Sequence, residues 1–348
     1  MKKTNKLAAF EHFVDSHKKV LGLIIALILI AIPFFGLSRS SMRIIIMILL
    51  YALIGLGVNV LLGYIGLVPL GHAGFMAIGA YATAILATKC GWNWWCATIA
   101  AMAVTGFVGY LLFLPTYRLS GTYLTIVSLG FGFIVTMVLQ RWESLTNGNY
   151  GIRNIPAPEV FGHELSLTNG GFYWLILGLF ALVLLFCYFL SNSATGRAMV
   201  AVREDELAAK MMGIDTSKIK MKAFIISAVI TGIGGSFYAV FNNGFIEPTN
   251  FSFQVSTSLI EVVIIGGMGT LRGPILGAVI IQLFPQIFRF LAEWRFVVFG
   301  IMLIVILRFK PEGLLGWNTT LPYKIPPKAQ ELIDEYVSVK KSRKKESA

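Results

Sequence analysis

ATGRAMVAVREDELAAKMMGIDTSKIKMK, residues 194–222, is a polar island carrying both charges between two long apolar territories. Its centre reads as one short helix from Gly196 to Met212. Val200, Leu207 and Met211 fall on one side at helical spacing, and Arg203, Glu206 and Lys210 line another. Gly213 follows as a stop, and Asp215, Thr216 or Ser217 is placed to cap the apolar helix that comes next. Two readings fit this pattern. One is an ordinary cytoplasmic connection between two membrane spans; the other is a docking helix presented to a soluble partner.

The composition around the island decides the solvent. Hydrophobic residues make up 56% of the 348, and charged residues only 13%. Soluble domains carry about a quarter charged residues, so the chain belongs in a bilayer. The formal net charge is +12, yet the basic residues form no stripe with interleaved aromatics and do not point to nucleic acid. Cys90, Cys96 and Cys187 have neither metal-ligand spacing nor histidine company, and are expected to pack as small apolar side chains. No Gly-x-x-x-x-Gly-Lys-Ser/Thr occurs, so any energy from ATP must enter through another subunit. No catalytic residues and no metal site are expected.

The fold class that follows is an all-α polytopic membrane protein with about ten transmembrane helices, some broken or re-entrant. Apolar runs recur at Val20–Leu37, Ile44–Leu62, Ile65–Leu86, Trp94–Leu114, Gly121–Gln140, Phe172–Leu190 and Ala223–Phe241. Shorter ones follow at Val255–Met268, Ile275–Phe290 and Phe296–Leu307. A crossing helix needs about 20 residues, so these last must tilt or pack against protein. Residues 1–19 form an N-terminal segment, 20–310 the membrane domain and 311–348 a basic tail. Within the domain lie the polar loop 191–222 and the long loop 141–171. With ten crossings and the N-terminus inside, about 22 of the 29 Lys and Arg residues fall on the inner side. Both termini and the island are therefore expected in the cytoplasm. The first run has no small-residue cleavage site behind it and reads as a retained helix.

Two intramembrane stretches carry candidate path residues. In GYIGLVPLGHAGFMAIGAY, residues 63–81, Gly63, Gly66, Gly71, Gly74 and Pro69 are too many helix weakeners for a lipid-facing span. A broken helix there must lie against protein or a water-filled cavity. His72 is its titratable group, and a neutral ring bonded to neighbouring backbone is favoured over contact with a transported solute. In RLSGTYLTIVSLGFG, residues 118–132, Thr122, Thr125 and Ser128 are spaced by three and share a face. They serve either interhelical hydrogen bonding or the lining of a path. Gly232, Gly234 and Gly235 mark a close helix contact, and Glu261 is a second buried-charge and path candidate, which either orders a helix end and pairs inside the bundle, the favoured role, or faces the path. GGMGTLRGPILG, residues 266–277, reads as a tight inner turn rather than a nucleotide loop.

The 63–81 stretch, GRAMVAVREDELAAKMMGID (residues 196–215) and EVVIIGGMGTLRGPILGA (residues 261–278) resemble, in this order, the LivM-type permease subunits of bacterial branched-chain amino acid ABC transporters. The similarity runs from about Ala52 to Trp317. It implies that Gly196, Arg197, Arg203, Glu204, Asp205, Glu206, Ala208, Ala209 and Gly213 belong to the loop that touches an ATPase. It also implies a bacterial cytoplasmic membrane, a second homologous permease chain, two ATP-binding subunits that use ATP and Mg, and an extracytoplasmic substrate-binding protein. Where the family commonly has Gln-x-Ser, this chain has Leu67-Val-Pro69. Permeases for urea or short amides share much of the pattern. A self-contained proton-coupled transporter using His72 or Glu261, or a pathless scaffold subunit, are the other classes.

Overall fold

The structure, a computed structural model, describes residues 29, 31–35, 38–116, 122–160, 163–165, 170–287, 294–310 and 313–315. The N-terminal segment, most of the first apolar run, Arg118 and the basic tail lie outside the described residues. Ser38 accepts a hydrogen bond from Ser41 N–H and opens α1, Arg39–Asn59. This helix is apolar on every side, and continues through a π-helical turn, Val60–Ile65, that ends on left-handed Gly66 (φ 79°). After the irregular residues 66–71 comes α2, His72–Thr88. Then follow α3, Trp94–Thr116; α4, Thr122–Arg141; and α5, Gly171–Asn192. The island forms α6, Ala194–Glu204, and α7, Glu206–Met211. The chain closes with α8, Thr216–Phe241; α9, Phe253–Gly266; α10, Gly273–Ile287; and α11, Arg295–Phe309.

Among the described residues, five helices are long and apolar enough to cross a membrane: Arg39–Ile65, Trp94–Thr116, Tyr123–Arg141, Gly171–Asn192 and Thr216–Phe241. The α1 and α8 spans are 78% buried within the protein, whereas those of α4 and α5 are 22% and 33% buried. Hence α1 and α8 form the centre, and α4 and α5 turn apolar flanks outward. Helices α2, α10 and α11 are apolar but shorter, and α9 has 14 residues. The expected break near Gly63 is present, with one correction. Pro69 does not interrupt a helix; it lies in the irregular 66–71 connection, and the next helix begins only at His72.

Glycine lets the centre close. A Cβ on Gly232 would meet Thr105 Oγ1 of α3 at 2.5 Å, one on Gly234 would meet Ile54 of α1 at 2.3 Å, and one on Gly235 would meet the Met76 carbonyl of α2 at 2.0 Å. Three positions within one turn of α8 thereby touch three different helices, at side-chain atoms of Thr105 and Ile54 and at the backbone of Met76. The close contact expected of these glycines is found, and it is threefold.

The two ends of the bundle are distinct. At one, Lys89 Nζ donates to the Ser144 carbonyl, Ile152 bridges Ile246, and Arg43 Nη1 donates to Asn243 Oδ1. Loop 141–171 folds here, with a short antiparallel ribbon pairing Glu159–Val160 with His163–Glu164. At the opposite end gather Gly63, the island, the Gly267–Arg272 turn and residues 313–315. Cys187 is buried as expected, but Cys90 and Cys96 lie on the surface.

Candidate coupling segment and translocation face

The island is two helices, not one. Ser193 caps α6 by accepting from Gly196 N–H, but Asp205 is extended (φ −157°, ψ 109°) and breaks the run. Its Oδ1 accepts from the N–H groups of Leu207 and Ala208, both at 2.9 Å, and so starts α7 afresh. Gly213 (φ 82°) ends the segment, and Asp215 caps α8 by accepting from Lys218 N–H at 3.1 Å. That hydrogen bond, aided by the Lys218 ammonium, holds the Asp215 carboxyl below its ordinary pKa.

The elbow changes which side chains face out. Gly196, Met199, Val200 and Val202 pack inward from α6. Leu207, Met211 and Met212 of α7 are instead 66%, 77% and 82% exposed. The expected alignment of Val200 with Leu207 and Met211 fails, because a straight helix was needed to join them. The charged face divides too. Glu206 turns to Lys220 of α8 at 2.6 Å, and that lysine side chain is only 5% exposed. Arg203 Nη1 donates to the Gly63 carbonyl at 2.6 Å, while Lys210 stays exposed. Of the other expected coupling residues, Arg197, Glu204, Asp205, Ala208 and Gly213 are exposed, whereas Gly196 and Ala209 are buried. Sequence reasoning missed Leu207, Met211 and Met212 as a surface, since exposed apolar side chains cannot be told from core ones by period.

The Arg203 contact has a clear origin. A helix end leaves carbonyls without intrahelical partners and carries the negative end of the helix dipole, so a guanidinium there is favoured. The π-helical turn offers such a carbonyl at Gly63. Beside it, Asn59 joins α1 to the α9–α10 turn: its Nδ2 donates to the Thr270 carbonyl at 3.0 Å, and its Oδ1 accepts from Gly269 N–H at 2.9 Å. Thr270 Oγ1 in turn donates to the Leu315 carbonyl. Asn59, absent from the sequence candidates, is 1% exposed and bonded on both sides of its amide. Asn59→Ala should destabilise the protein by about 2–4 kcal/mol, because two buried backbone groups lose their partners. Thermal denaturation of the detergent-solubilised chain measures this, and an unchanged midpoint would contradict it.

The 66–71 connection runs from this end into the middle of the bundle. Gly71 lies so close to α4 that a Cβ would sit 1.9 Å from the Ser128 carbonyl. Gly74 packs on Phe131 and Gly132. His72 is 1% exposed, and its Nε2 lies 2.7 Å from Ser227 Oγ. That hydroxyl donates to the Gly57 carbonyl, so its oxygen accepts from Nε2–H. The histidine is tied to the backbone of α1 through a serine. Ser128 Oγ donates within its own helix to the Thr125 carbonyl, so of the two readings the interhelical hydroxyl bond is not made at this residue. The structure thus gathers Gly71, His72, Gly74 and Ser128, and places Gly63 and Gly66 one step below, beside Arg203. Thr122 opens α4, at the edge of the described residues. Glu261 stands mid-way along α9, 8% exposed. Among the described residues no group of three or more His, Cys, Asp or Glu side chains is placed to hold a metal.

The chain matches the family described as branched-chain amino acid transport system / permease component over residues 40–307. It is 36% identical to the high-affinity branched-chain amino acid transport system permease protein LivM of Salmonella typhimurium, over 84% of this chain and 74% of that protein. The corresponding LivM of Escherichia coli is 35% identical over the same shares. The high-affinity branched-chain amino acid transport system permease protein LivH of Escherichia coli is 25% identical over 76% of this chain and 91% of its own length. No solved structure matches.

Proposed function

This chain belongs to the branched-chain amino acid transport system permease family, and from that premise we propose that it carries hydrophobic amino acids through the bacterial cytoplasmic membrane as one of two similar permease chains in an ABC importer. The resemblance to both LivM and LivH supports the pairing. A binding protein delivers the amino acid at the end formed by loop 141–171, and two ATPase subunits bind at the end carrying the island. Both termini lie on the ATPase side. ATP and Mg act in those partners, and this chain switches its path by rigid-body movement of packed helices.

One observation carries the reading: α7 holds Leu207, Met211 and Met212 outward on a charged segment set off by the Asp205 elbow. Apolar side chains displayed among charges have no lipid to meet and suit a groove in a soluble protein. The segment is also anchored behind, through Glu206–Lys220 and Arg203–Gly63. Movement of a gripped α7 therefore reaches the membrane helices.

The combined substitution Leu207→Asp and Met211→Asp tests this. Each buried apolar anchor of an interface contributes about 2 kcal/mol, so losing both weakens association by about a thousandfold. The chain should still reach the membrane at normal levels, while co-purification with the ATPases and amino acid uptake are lost. Retention of both would overturn the reading.

A further inference from the structure

Helix α9 carries a polar stripe along one face. Gln254, Ser258 and Glu261 follow at i, i+4 and i+7, with Thr257 beside them, so at 3.6 residues per turn they share one face. The opposite face holds Leu259 and Val263, both fully buried. Gln254 is exposed, Thr257 and Ser258 are half-buried, and Thr257 Oγ1 bonds only within its own helix, to the Phe253 carbonyl. Among the described residues, Gln254, Ser258 and Glu261 make no side-chain hydrogen bond or ion pair. Glu261 is also deep: the neighbouring Val262 packs on Gly55 of α1 and on Gly277 of α10. A carboxylate at that depth beside a carboxamide and hydroxyls cannot face hydrocarbon, so the stripe borders water or another polar surface.

Another face of the same helix meets the break. Phe253 stacks on Phe133 of α4 at 6.1 Å, and Ser256 Oγ accepts from Ala73 N–H just past the irregular 66–71 segment. Irregular backbone inside a membrane survives only against protein or a hydrated cavity. A small cavity lined by Leu70, Ala73, Gly132, Thr136, Phe253 and Ser256 lies on that face, while Gln254, Ser258 and Glu261 look away from it.

We propose that this stripe lines the path of the solute and that Glu261 receives the ammonium group of the passing amino acid. The side chain of a hydrophobic amino acid gives the path little to grip, whereas its ammonium is common to all of them. One carboxylate supplies a complementary charge of moderate strength, enough to draw the zwitterion from bulk water without trapping it. The inference rests on the permease reading.

The test uses the complete transporter, with its partner permease, ATPases and binding protein, in proteoliposomes. Glu261→Gln keeps the shape and removes the charge, and leucine uptake should fall tenfold or more while ATPase association persists. A second measurement addresses the water directly. In a Cys90→Ser/Cys96→Ser background, Ser258→Cys should react with a cationic methanethiosulfonate at least tenfold faster than with an anionic one. Adding Glu261→Gln should erase that preference. Wild-type uptake by Glu261→Gln, or a Ser258→Cys thiol that neither reagent reaches because a second chain seals the stripe, would overturn the inference. Failure of the unaltered complex to import leucine on ATP would instead overturn the permease reading.

Discussion

Gly79→Val should eliminate folded protein from the membrane. A Cβ at Gly79 would sit 2.1 Å from the Gly232 carbonyl and 2.6 Å from both the Gly232 carbonyl carbon and its Cα. All three are backbone atoms, so no side-chain rotation relieves the clash, and α2 would have to move off α8. That contact is the most extensive between any two helices among the described residues. It also carries the bond from Thr83 Oγ1 to Ser236 Oγ and the bond from Ser236 Oγ to the Gly79 carbonyl. Overpacking a well-packed core costs about 1–3 kcal/mol when side chains can yield. Here two backbones must part and buried hydroxyls lose partners, so the loss should exceed about 5 kcal/mol, comparable to the whole stability of many domains. Gly178→Ala is the control, since a Cβ there meets nothing within 4 Å. Quantitative immunoblotting of membranes, with size-exclusion profiles after detergent extraction, reads the outcome. Normal amounts of monodisperse Gly79→Val protein would refute the packing argument.

Arg203→Ala should separate ATP hydrolysis from transport. The guanidinium lies behind the proposed docking surface and donates to Gly63 in the π-helical turn after α1, while its stem packs against Gly66 at the start of the 66–71 connection. Through this contact a displacement of α6 and α7 reaches the backbone that runs on to Gly71 and His72. Removing it leaves Leu207, Met211 and Met212 in place to bind the ATPases. Uptake per ATP hydrolysed should therefore fall at least tenfold, with co-purification of the ATPases unchanged. Arg203→Lys should recover part of the ratio, because an ammonium still reaches a carbonyl but without the fork geometry of arginine. Measuring uptake and phosphate release in the same proteoliposomes gives the ratio directly. An Arg203→Ala complex with normal coupling would remove this contact from the mechanism. Loss of ATPase binding would place Arg203 on the outer surface instead.

Both results turn on distances that no local pattern displays. The glycines of α8 were legible as a close-contact surface, since three small residues within four positions of an apolar helix have few other uses. Their three partners were not legible, for the chain supplies Thr105, Ile54 and Met76 from far upstream. The break near Gly63 could be read from its glycines and proline, but the start of α2 at His72 could not. The island was visible as a charged interruption. Its elbow was hidden because Asp205 suits either the surface of a helix or the cap of a new one. Only the pair of N–H groups it satisfies at Leu207 and Ala208 decides for the cap.

By itself, then, the sequence determined a helical membrane protein, the order of its main apolar segments, and a charged interruption between two of them. Hydropathy and helical period act within a few turns, and these properties need nothing more. The tertiary structure alone decided that Arg203 reaches Gly63 and Glu206 pairs with Lys220 while Leu207 and Met211 turn outward, and that Asn59 holds the Gly269–Thr270 turn. Those outcomes depend on which unsatisfied carbonyl, amide or carboxylate meets which side chain across 14 to 211 residues of chain. That meeting is fixed only when the helices pack.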